Sequence, residues 1–561
     1  LAVGSERQKL AYFDPMAEQL EKAISFQAQQ DASDSEARDL ATTTLLQRKG
    51  RVLDAMADNM GALWNRSSAD DRALLDQFKG VTSQLAGLVL KGPQGLSIAE
   101  HQQRIKALTQ RREQLENEVA RRSQGYYERS DAVTLSAVKA AIPSDAALIE
   151  FAVYRPFDPK KPNESTTNFG DPRYVVYVIP GSGDVRWKDL GAGREIDAAV
   201  AAFRRALRDP QRRDVKQLAR ALDEKIMQPV RELTGNATHL LVSPDGQLDL
   251  IPFEALVDSQ GRYLIERFSV TYLTTGRDLL RMQVSRDSKT GPLVIADPAF
   301  GEPGTTTVAS VERPHLRPAS TLNRRRSITT AQDLSAVYFA PLSGTALEAH
   351  AIQSLFPDAH VLTGAQATKS ALKGIDAPSI LHIATHGFFL EDSPEVSLPN
   401  NAKPAPNDTR SVHGGAAIEN PLLRSGLALS GANVTKTSSE DGILTALEAS
   451  NLNLWGTKLV TLSACDTGLG EVRNGEGVYG LRRAFFLSGA ETLVMSLWPV
   501  SDDVTREMMT AYYTGLRQGL GRGEALHQAE LAMLKRKGRQ HPFYWASFIQ
   551  SGDWTSLDGK K

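Results

Sequence analysis

The sequence predicts an α/β protein, a mostly parallel sheet flanked by helices and preceded by an all-α region, and three observations carry that reading. From Asp14 to about Arg129 the chain is rich in Ala, Leu, Gln, Glu and Arg, with apolar residues at helical spacing, as in Leu40, Leu45, Leu46, Val52, Leu53 and Met56. After Pro143 the texture changes to short Val- and Ile-rich runs bounded by Gly, Pro or Asp. Helical stretches lie between these runs, and strands that are apolar throughout must be covered on both faces by crossover helices.

Along the first part, breaks near Ser67–Asp71, at Gly92-Pro93 and at Ser123–Gly125 define three or four long antiparallel helices, one of them starting at Ser97 and Glu100. No clear 34-residue self-similarity runs through them, so a repeat array is not expected. Strands follow at Ala147–Tyr154, Tyr174–Pro180, His239–Ser243, Leu293–Ala296, Ile380–Thr385, Lys458–Ser463 and Thr492–Leu497. Helices are expected at Ile196–Leu207, Asp214–Ile226, Ala346–Phe356 and Gly480–Leu487. Two stretches rich in Ser, Pro and Asn or Arg, 300–341 and 391–441, exceed ordinary loop length and read as insertions that serve as lids or cleavage sites. The expected units are a helical region over 1–139 and an α/β domain over 140–556.

The 65 basic and 66 acidic side chains leave a net charge of −1, so there is no bulk attraction to nucleic acid or to an anionic membrane. No run reaches the ~18 to 20 apolar residues of a membrane span, and the opening LAVGSERQKL lacks the apolar core of a signal peptide. A soluble, cytoplasmic protein is expected, and the missing initiator methionine suggests a piece of a longer polypeptide. The single cysteine, Cys465, excludes an intramolecular disulfide and any Cys-rich zinc or iron–sulfur site. A lone thiol is more often inert packing than chemistry.

Position changes those odds. The run Ile380–Thr385 ends at His386-Gly387, and the run Lys458–Ser463 ends at Ala464-Cys465-Asp466. If the two strands are neighbours, 79 residues of chain bring an imidazole and a thiol to one rim, as nucleophilic catalysis requires. A thiol between a strand end and a helix start is also where the thiolate is favoured. Gly468, Gly470, Gly475 and Gly477 allow backbone to approach a substrate, and the N–H groups of Gly387 and Cys465 are candidate oxyanion donors.

Other readings compete. Alone, His386 is more often a hydrogen-bonded structural histidine, and His382, on the same strand face, is a rival for its role. The His-x-x-x-His spacing lies on a strand and lacks the glutamate of a metalloprotease, so no metal site is expected. Gly475-Glu-Gly-Val-Tyr-Gly480 matches a dinucleotide fingerprint but starts about ten residues past the strand end, so no cofactor is expected. Arg324-Arg-Arg326 lacks interleaved aromatics and reads as an exposed loop.

These residues extend into a longer pattern: Leu241-Val-Ser-Pro-Asp-Gly-Gln-Leu-Asp-Leu-Ile-Pro-Phe-Glu-Ala-Leu256, Leu459-Val-Thr-Leu-Ser-Ala-Cys-Asp-Thr-Gly-Leu-Gly470, Gly475-Glu-Gly-Val, Arg483-Ala-Phe, Ser496-Leu-Trp-Pro-Val and Pro542-Phe-Tyr-Trp-Ala-Ser-Phe. The pattern, spread over roughly 140–556, resembles the CHAT-domain family, caspase-like and separase-like clan CD cysteine peptidases often fused behind tetratricopeptide repeats. The resemblance implies a caspase-like sheet, Cys465 as nucleophile, His386 as general acid/base, and Gly387 and Cys465 N–H groups at the oxyanion. In related peptidases an acidic residue after the next strand lines the pocket for the residue preceding the cut. Asp502 is its positional match, with Asp466 and Glu476 as alternatives, although local sequence equally makes Asp502 or Asp503 the cap of a helix near Val504. A pocket for arginine would turn Arg324–Arg326 into a self-cleavage site.

The first part resembles the segment joining the repeats to the peptidase domain. The expectation is a bacterial cysteine endopeptidase acting on a protein substrate, regulated through its helical region by a protein partner, with no cofactor, nucleic acid or membrane. A catalytically silent interaction scaffold is the competing expectation, and a hydrolase of esters or small amides is the third.

Overall fold

The structure is a computed structural model that describes residues 4–29, 34–66, 68–93, 95–123, 133–160, 168–284, 286–301, 327–328, 338–390, 420–434, 442–464 and 467–559. Among them, five long helices open the chain: α1 (Glu6–Gln29), α2 (Ser35–Arg48), α3 (Arg51–Arg66), α4 (Ala69–Lys91) and α5 (Ile98–Ser123). A short α6 (Leu135–Ala141) follows. Caps account for the starts that local sequence announces. Ser68 accepts from Asp71 N–H at α4, and at α5 Ser97 and Glu100 cap each other's backbone N–H at 3.0 and 3.2 Å.

Composition implied fewer boundaries, and three differ, among them the separation of α1, ending at Gln29, from α2, starting at Ser35. α1 begins at Glu6 rather than near Asp14, and the chain breaks again at Lys49-Gly50. An isolated glycine costs a helix only about 1 kcal/mol, so local sequence does not decide that break. Gly50 takes a φ of +65°, a conformation cheap only without a side chain.

The remainder begins with β1 (Ala146–Tyr154), β2 (Arg173–Pro180), β3 (Arg186–Ala192), α7 (Gly193–Leu207), α8 (Val215–Ile226), α9 (Gln228–Arg231), β4 (His239–Ser243), β5 (Ser269–Tyr272) and α10 (Asp278–Arg281). Next come β6 (Leu293–Pro298), β7 (Ser327–Ile328), α11 (Ser343–Leu355), β8 (His360–Gly364), α12 (Lys369–Lys373), β9 (Ile380–Ala384), β10 (Gly387–Phe389), β11 (Ser425–Ala428), β12 (Ile443–Thr445) and α13 (Ala446–Ala449). The chain closes with β13 (Leu459–Leu462), β14 (Gly470–Arg473), β15 (Gly477–Gly480), α14 (Leu481–Leu487), β16 (Thr492–Ser496), α15 (Asp502–Arg517), α16 (Arg522–Lys535), α17 (Pro542–Trp545) and β17 (Phe548–Gly552).

Among the described residues, eleven strands form one sheet in the order β3-β2-β1-β4-β5-β17-β16-β13-β9-β6-β8. Neighbours from β1 to β17 run parallel, as do neighbours from β16 to β8, but β16 and β17 are antiparallel. Apart from the antiparallel edge made by β2 and β3, the sheet is therefore two parallel blocks pointing in opposite directions, welded by the last strand of the chain. This refines the expectation for strand ends: the carboxyl ends of β1, β4 and β5 lie at one edge and those of β9, β13 and β16 at the other.

Strand alternation shows how the helical region fits. On β1, Ala147, Ile149 and Phe151 face the layer of α7 and α8, with Phe203 and Leu222, whereas Leu148 and Ala152 face Ile24 of α1 and Leu45 and Leu46 of α2. Glu150, on that second face, is the exception to apolar lining. Lys49, from the break after α2, reaches it at 3.2 Å and also donates to the carbonyls of Phe151 and Ser243 and to Ser243 Oγ at 2.9, 3.0 and 2.6 Å. Arg277 locks the same elbow by donating to Asp54 of α3 and to the Leu46 and Lys49 carbonyls. The break in the helix is thus where a lysine must turn into the sheet.

Two predictions follow from these buried charges. Lys49→Met leaves Glu150 charged and unpaired, and urea denaturation should show a loss of about 3–5 kcal/mol, partly recovered by adding Glu150→Leu. The second concerns carboxyls whose burial outweighs the pull of any cation near them, as Arg482 at 3.7 Å from Asp249 shows. Burial pushes Asp249 up to about 7, and burial together with mutual repulsion raises the neighbouring pair Glu254 and Glu530, the former receiving a 2.7 Å bond from Tyr272. Groups raised in the folded state contribute stability that is complete below the ordinary carboxylate range and lost as pH rises through about 7. Unfolding free energy should fall between about pH 4 and 7 and level off above that, and less steeply in Glu530→Gln.

Candidate active site

β9 and β13 are neighbours in parallel register, with Thr461 beside His382 and Leu462 beside Ile383, and Ser463 N–H donates to the Ile383 carbonyl at 2.9 Å. Both chains leave the sheet at the same rim. Three residues beyond Ile383 is His386, and three beyond Leu462 is Cys465. Cys465 and Asp466 lie outside the described residues, as do Arg324–Arg326 and most of both insertions.

The chain is pinned on either side of Cys465 and Asp466. The Ala464 carbonyl accepts from Ser496 Oγ at 2.5 Å and from Thr467 Oγ1 at 3.2 Å, and Gly468 N–H donates to the Ser496 carbonyl at 2.8 Å. Ser496 ends β16, the next strand in the sheet, so the chain on either side of Cys465 and Asp466 is moored to a third parallel strand.

His386 is only 3% exposed. Its Nε2 lies 2.7 Å from the Ala340 carbonyl, and a carbonyl can only accept, so Nε2 carries a proton and in the neutral ring Nδ1 carries the lone pair. Phe300 and Phe339 flank the imidazole at ring distances of 5.2 and 5.7 Å. These two aromatics are the described ends of the first insertion. Asn433 ties them together by accepting from Phe339 N–H and donating to the carbonyls of Gly301 and Phe339. Sequence reasoning missed this cradle: an insertion of unknown path gives no reason to expect its two ends against one histidine. Gly387 opens β10 and pairs with Leu427 of β11 and with Ser327 of β7.

The rival, His382, is fully buried beneath the rim. Its Nδ1 meets Tyr513 OH at 2.9 Å, Tyr513 OH donates to Thr461 Oγ1 at 3.0 Å, and Nε2 lies 3.0 Å from Glu348 of α11. That network spans β9, β13, α11 and α15, so His382 holds strands in register rather than facing substrate.

Of the acidic candidates, Asp502 is the first residue of α15, with Ser501 at the cap position that local sequence offered to Asp502 or Asp503. It sits just past β16 on the same rim as His386, packed so closely on Gly344 of α11 that a Cβ there would lie 2.5 Å from its own. Glu476 is turned elsewhere. Its carboxylate faces Arg483 at 3.5 Å, and burial raises it to about 7. The fingerprint match Gly475–Gly480 proves to be the turn and return strand of the β14–β15 hairpin. Among the described residues, no group of His, Cys, Asp or Glu is arranged to hold a metal, and no helix is long and apolar enough to cross a membrane.

Tyr513→Phe removes the hydroxyl joining His382 to Thr461. Denaturant titration should show a loss of about 1–3 kcal/mol, because two buried polar groups lose their partner.

The CHAT domain profile matches residues 216–553, more than half of the chain. Tetratricopeptide repeat protein 28 of Homo sapiens is 26% identical over 327 residues, covering 58% of this chain and 12% of that protein. Its Mus musculus counterpart is 26% identical over 330 residues with the same coverage, so the chain spans about an eighth of the length of these curated relatives. Among solved structures, the Saccharomyces cerevisiae separase–securin complex aligns over 98% of this chain and 40% of that one, at 9% identity and a TM-score of 0.38. The Arg-specific cysteine proteinase gingipain R aligns over 64% of this chain and 74% of that one, at 9% identity and a TM-score of 0.32. Similarity at those scores assigns no residue a role. The profile match spans β4 together with β9, β13, β16 and the rim that these last three share, and on it the chain belongs to the CHAT domain family.

Proposed function

We propose that the chain is a cysteine endopeptidase with Cys465 as nucleophile and His386 as general acid/base. The observation that carries the reading is the β9–β13 register, which sends the chains bearing these two residues off one rim after equal counts of residues. In the proposed reaction the Cys465 thiol gives its proton to the His386 imidazole as its sulfur attacks the scissile carbonyl, and backbone N–H groups of Gly387 and Cys465 stabilise the oxyanion. The imidazole protonates the departing amine, leaving a thioester, and then accepts a proton from the water that hydrolyses it. The Ala340 carbonyl supports this assignment, since a fixed Nε2–H keeps the ring in one tautomer and orientation.

Asp502 is the proposed specificity residue, pairing with Arg or Lys before the cut. A half-buried carboxylate at that place would favour a basic side chain over a neutral one by charge pairing. Its place at the rim, with the cap position taken by Ser501, favours it over Asp466 and Glu476. The substrate is a protein. The helical region, layered on the sheet, is proposed to receive a regulatory protein partner, in keeping with relatives named for tetratricopeptide repeats. A silent scaffold is the alternative.

A peptide-library profile separates them. Cys465→Ala should abolish cleavage, His386→Ala should lower kcat/KM by about 10² to 10⁴, and Asp502→Ala should lose discrimination for basic residues while still reacting with iodoacetamide. No cleavage and no labelling of Cys465 by an arginyl or lysyl acyloxymethyl ketone, under any activating condition, would establish the scaffold instead.

A further inference from the structure

Two elements have no task in the reaction as proposed. One is Ser243-Pro-Asp-Gly246, which follows β4 at the edge of the sheet opposite the rim. The other is the β14–β15 hairpin, which begins five residues after Cys465. They meet. Gly475, at the hairpin tip with a φ of +74°, donates its N–H to Asp245 Oδ1 at 2.8 Å, and its carbonyl accepts from Gly50 N–H at 2.7 Å. Both polar groups of one residue are thus taken by two distant parts of the chain.

Asp245 is buried and held in turn. Its Oδ2 accepts from Val153 N–H at 2.8 Å, and its Oδ1 also accepts from Gly246 N–H at 2.9 Å. Gly50 is the elbow that turns Lys49 into the sheet. Beside the tip, Arg483 of α14 is 1% exposed in its side chain, donates to Glu6 of α1 at 2.8 Å, faces Glu476 at 3.5 Å and lies over the Tyr479 ring at 4.1 Å.

The base of the hairpin lies at the site. Gly468 is bonded to Ser496 at the rim, and Leu469, Val472 and Val478 pack with Leu250 and with Phe389, two residues after Gly387. Arg424, just before β11, pairs with Glu471. The hairpin therefore runs from the rim to the opposite edge. A two-stranded hairpin is marginal by itself, so what grips its tip sets its conformation.

We propose that Asp245, Gly50 and the Glu6–Arg483–Glu476 bridge are positioning groups that make this hairpin a strut for the nucleophile loop, so that moving the helical region off Gly475 and Glu476 changes the reactivity of Cys465. This rests on the peptidase reading for its purpose, but its test does not need turnover. Cys465 is the sole cysteine, so alkylation by iodoacetamide reports on it alone.

The experiment uses the full chain as wild type, Asp245→Ala, Asp245→Asn and Glu6→Ala. It measures the alkylation rate against pH, amide exchange of residues 470–480, and thermal unfolding. Asp245→Ala and Glu6→Ala should each speed exchange in the hairpin and change the alkylation rate by about tenfold or more, with a displaced pH profile. Asp245→Asn should restore most of the wild-type rate, since its amide oxygen still accepts from Gly475 N–H. Faster hairpin exchange with an alkylation rate and pH profile within about twofold of wild type, or no alkylation in any form, overturns the proposal. If Asp245→Ala does not fold, Glu6→Ala, altered at a partly exposed site, decides alone. Normal coupling without any peptide cleavage would sink the peptidase reading and leave the strut standing.

Discussion

Parallel pairing of β9 with β13, in the register that sets His382 beside Thr461, is the constraint on which the rest of the site depends. The side-chain period of a strand is two, so a slip of one residue between β9 and β13 would put His382 and Thr461 on opposite faces and carry His386 away from the level of the chain leaving β13. Strands apolar on both faces have little to oppose such a slip. The polar bridge through Tyr513 supplies the opposition, because any other register buries three hydrogen-bonding groups without partners. A polar network inside the core therefore secures geometry at the surface.

The reversal in the sheet has a second consequence. With two parallel blocks pointing opposite ways, the rim that carries His386 and the edge that carries Asp245 lie a strand length apart, and the chain must cross between them. The β14–β15 hairpin makes that crossing. The edge reached by its tip is also where the helical region enters the sheet through Lys49, so α1 to α3 are part of the architecture around the site rather than a separate appendage. Folding energetics favour such a junction: a lysine and a glutamate withdrawn from water are tolerable only when several hydrogen bonds surround them, and backbone carbonyls of two strands provide those bonds.

His386 shows a similar economy. Its ring is fixed by a carbonyl and two aromatics that come from the ends of one insertion, and those ends are joined by Asn433 from beyond β11. The membership in the CHAT domain family and the framed histidine are separate findings that converge on one rim.

Local sequence determined a great deal here. Apolar runs bounded by Gly, Pro and Asp marked seven strands to within one or two residues, since a strand buried on both faces leaves no other pattern. Two of those runs ended in His386 and Cys465, and the single cysteine drew attention to the rim where β9 and β13 end before any fold was known. Short or polar-edged strands such as β3 and β5 were not legible, because Arg186–Ala192 and Ser269–Tyr272 owe their state to the neighbour they pair with. Only the tertiary structure decided that the sheet reverses at β17, that the helix breaks at Gly50 for the sake of Lys49, and that Ala340, Phe300 and Phe339 hold the histidine. These are contacts between residues tens to hundreds of positions apart. Their energies come from desolvation and directional bonding in the assembled core, which no local window of sequence contains.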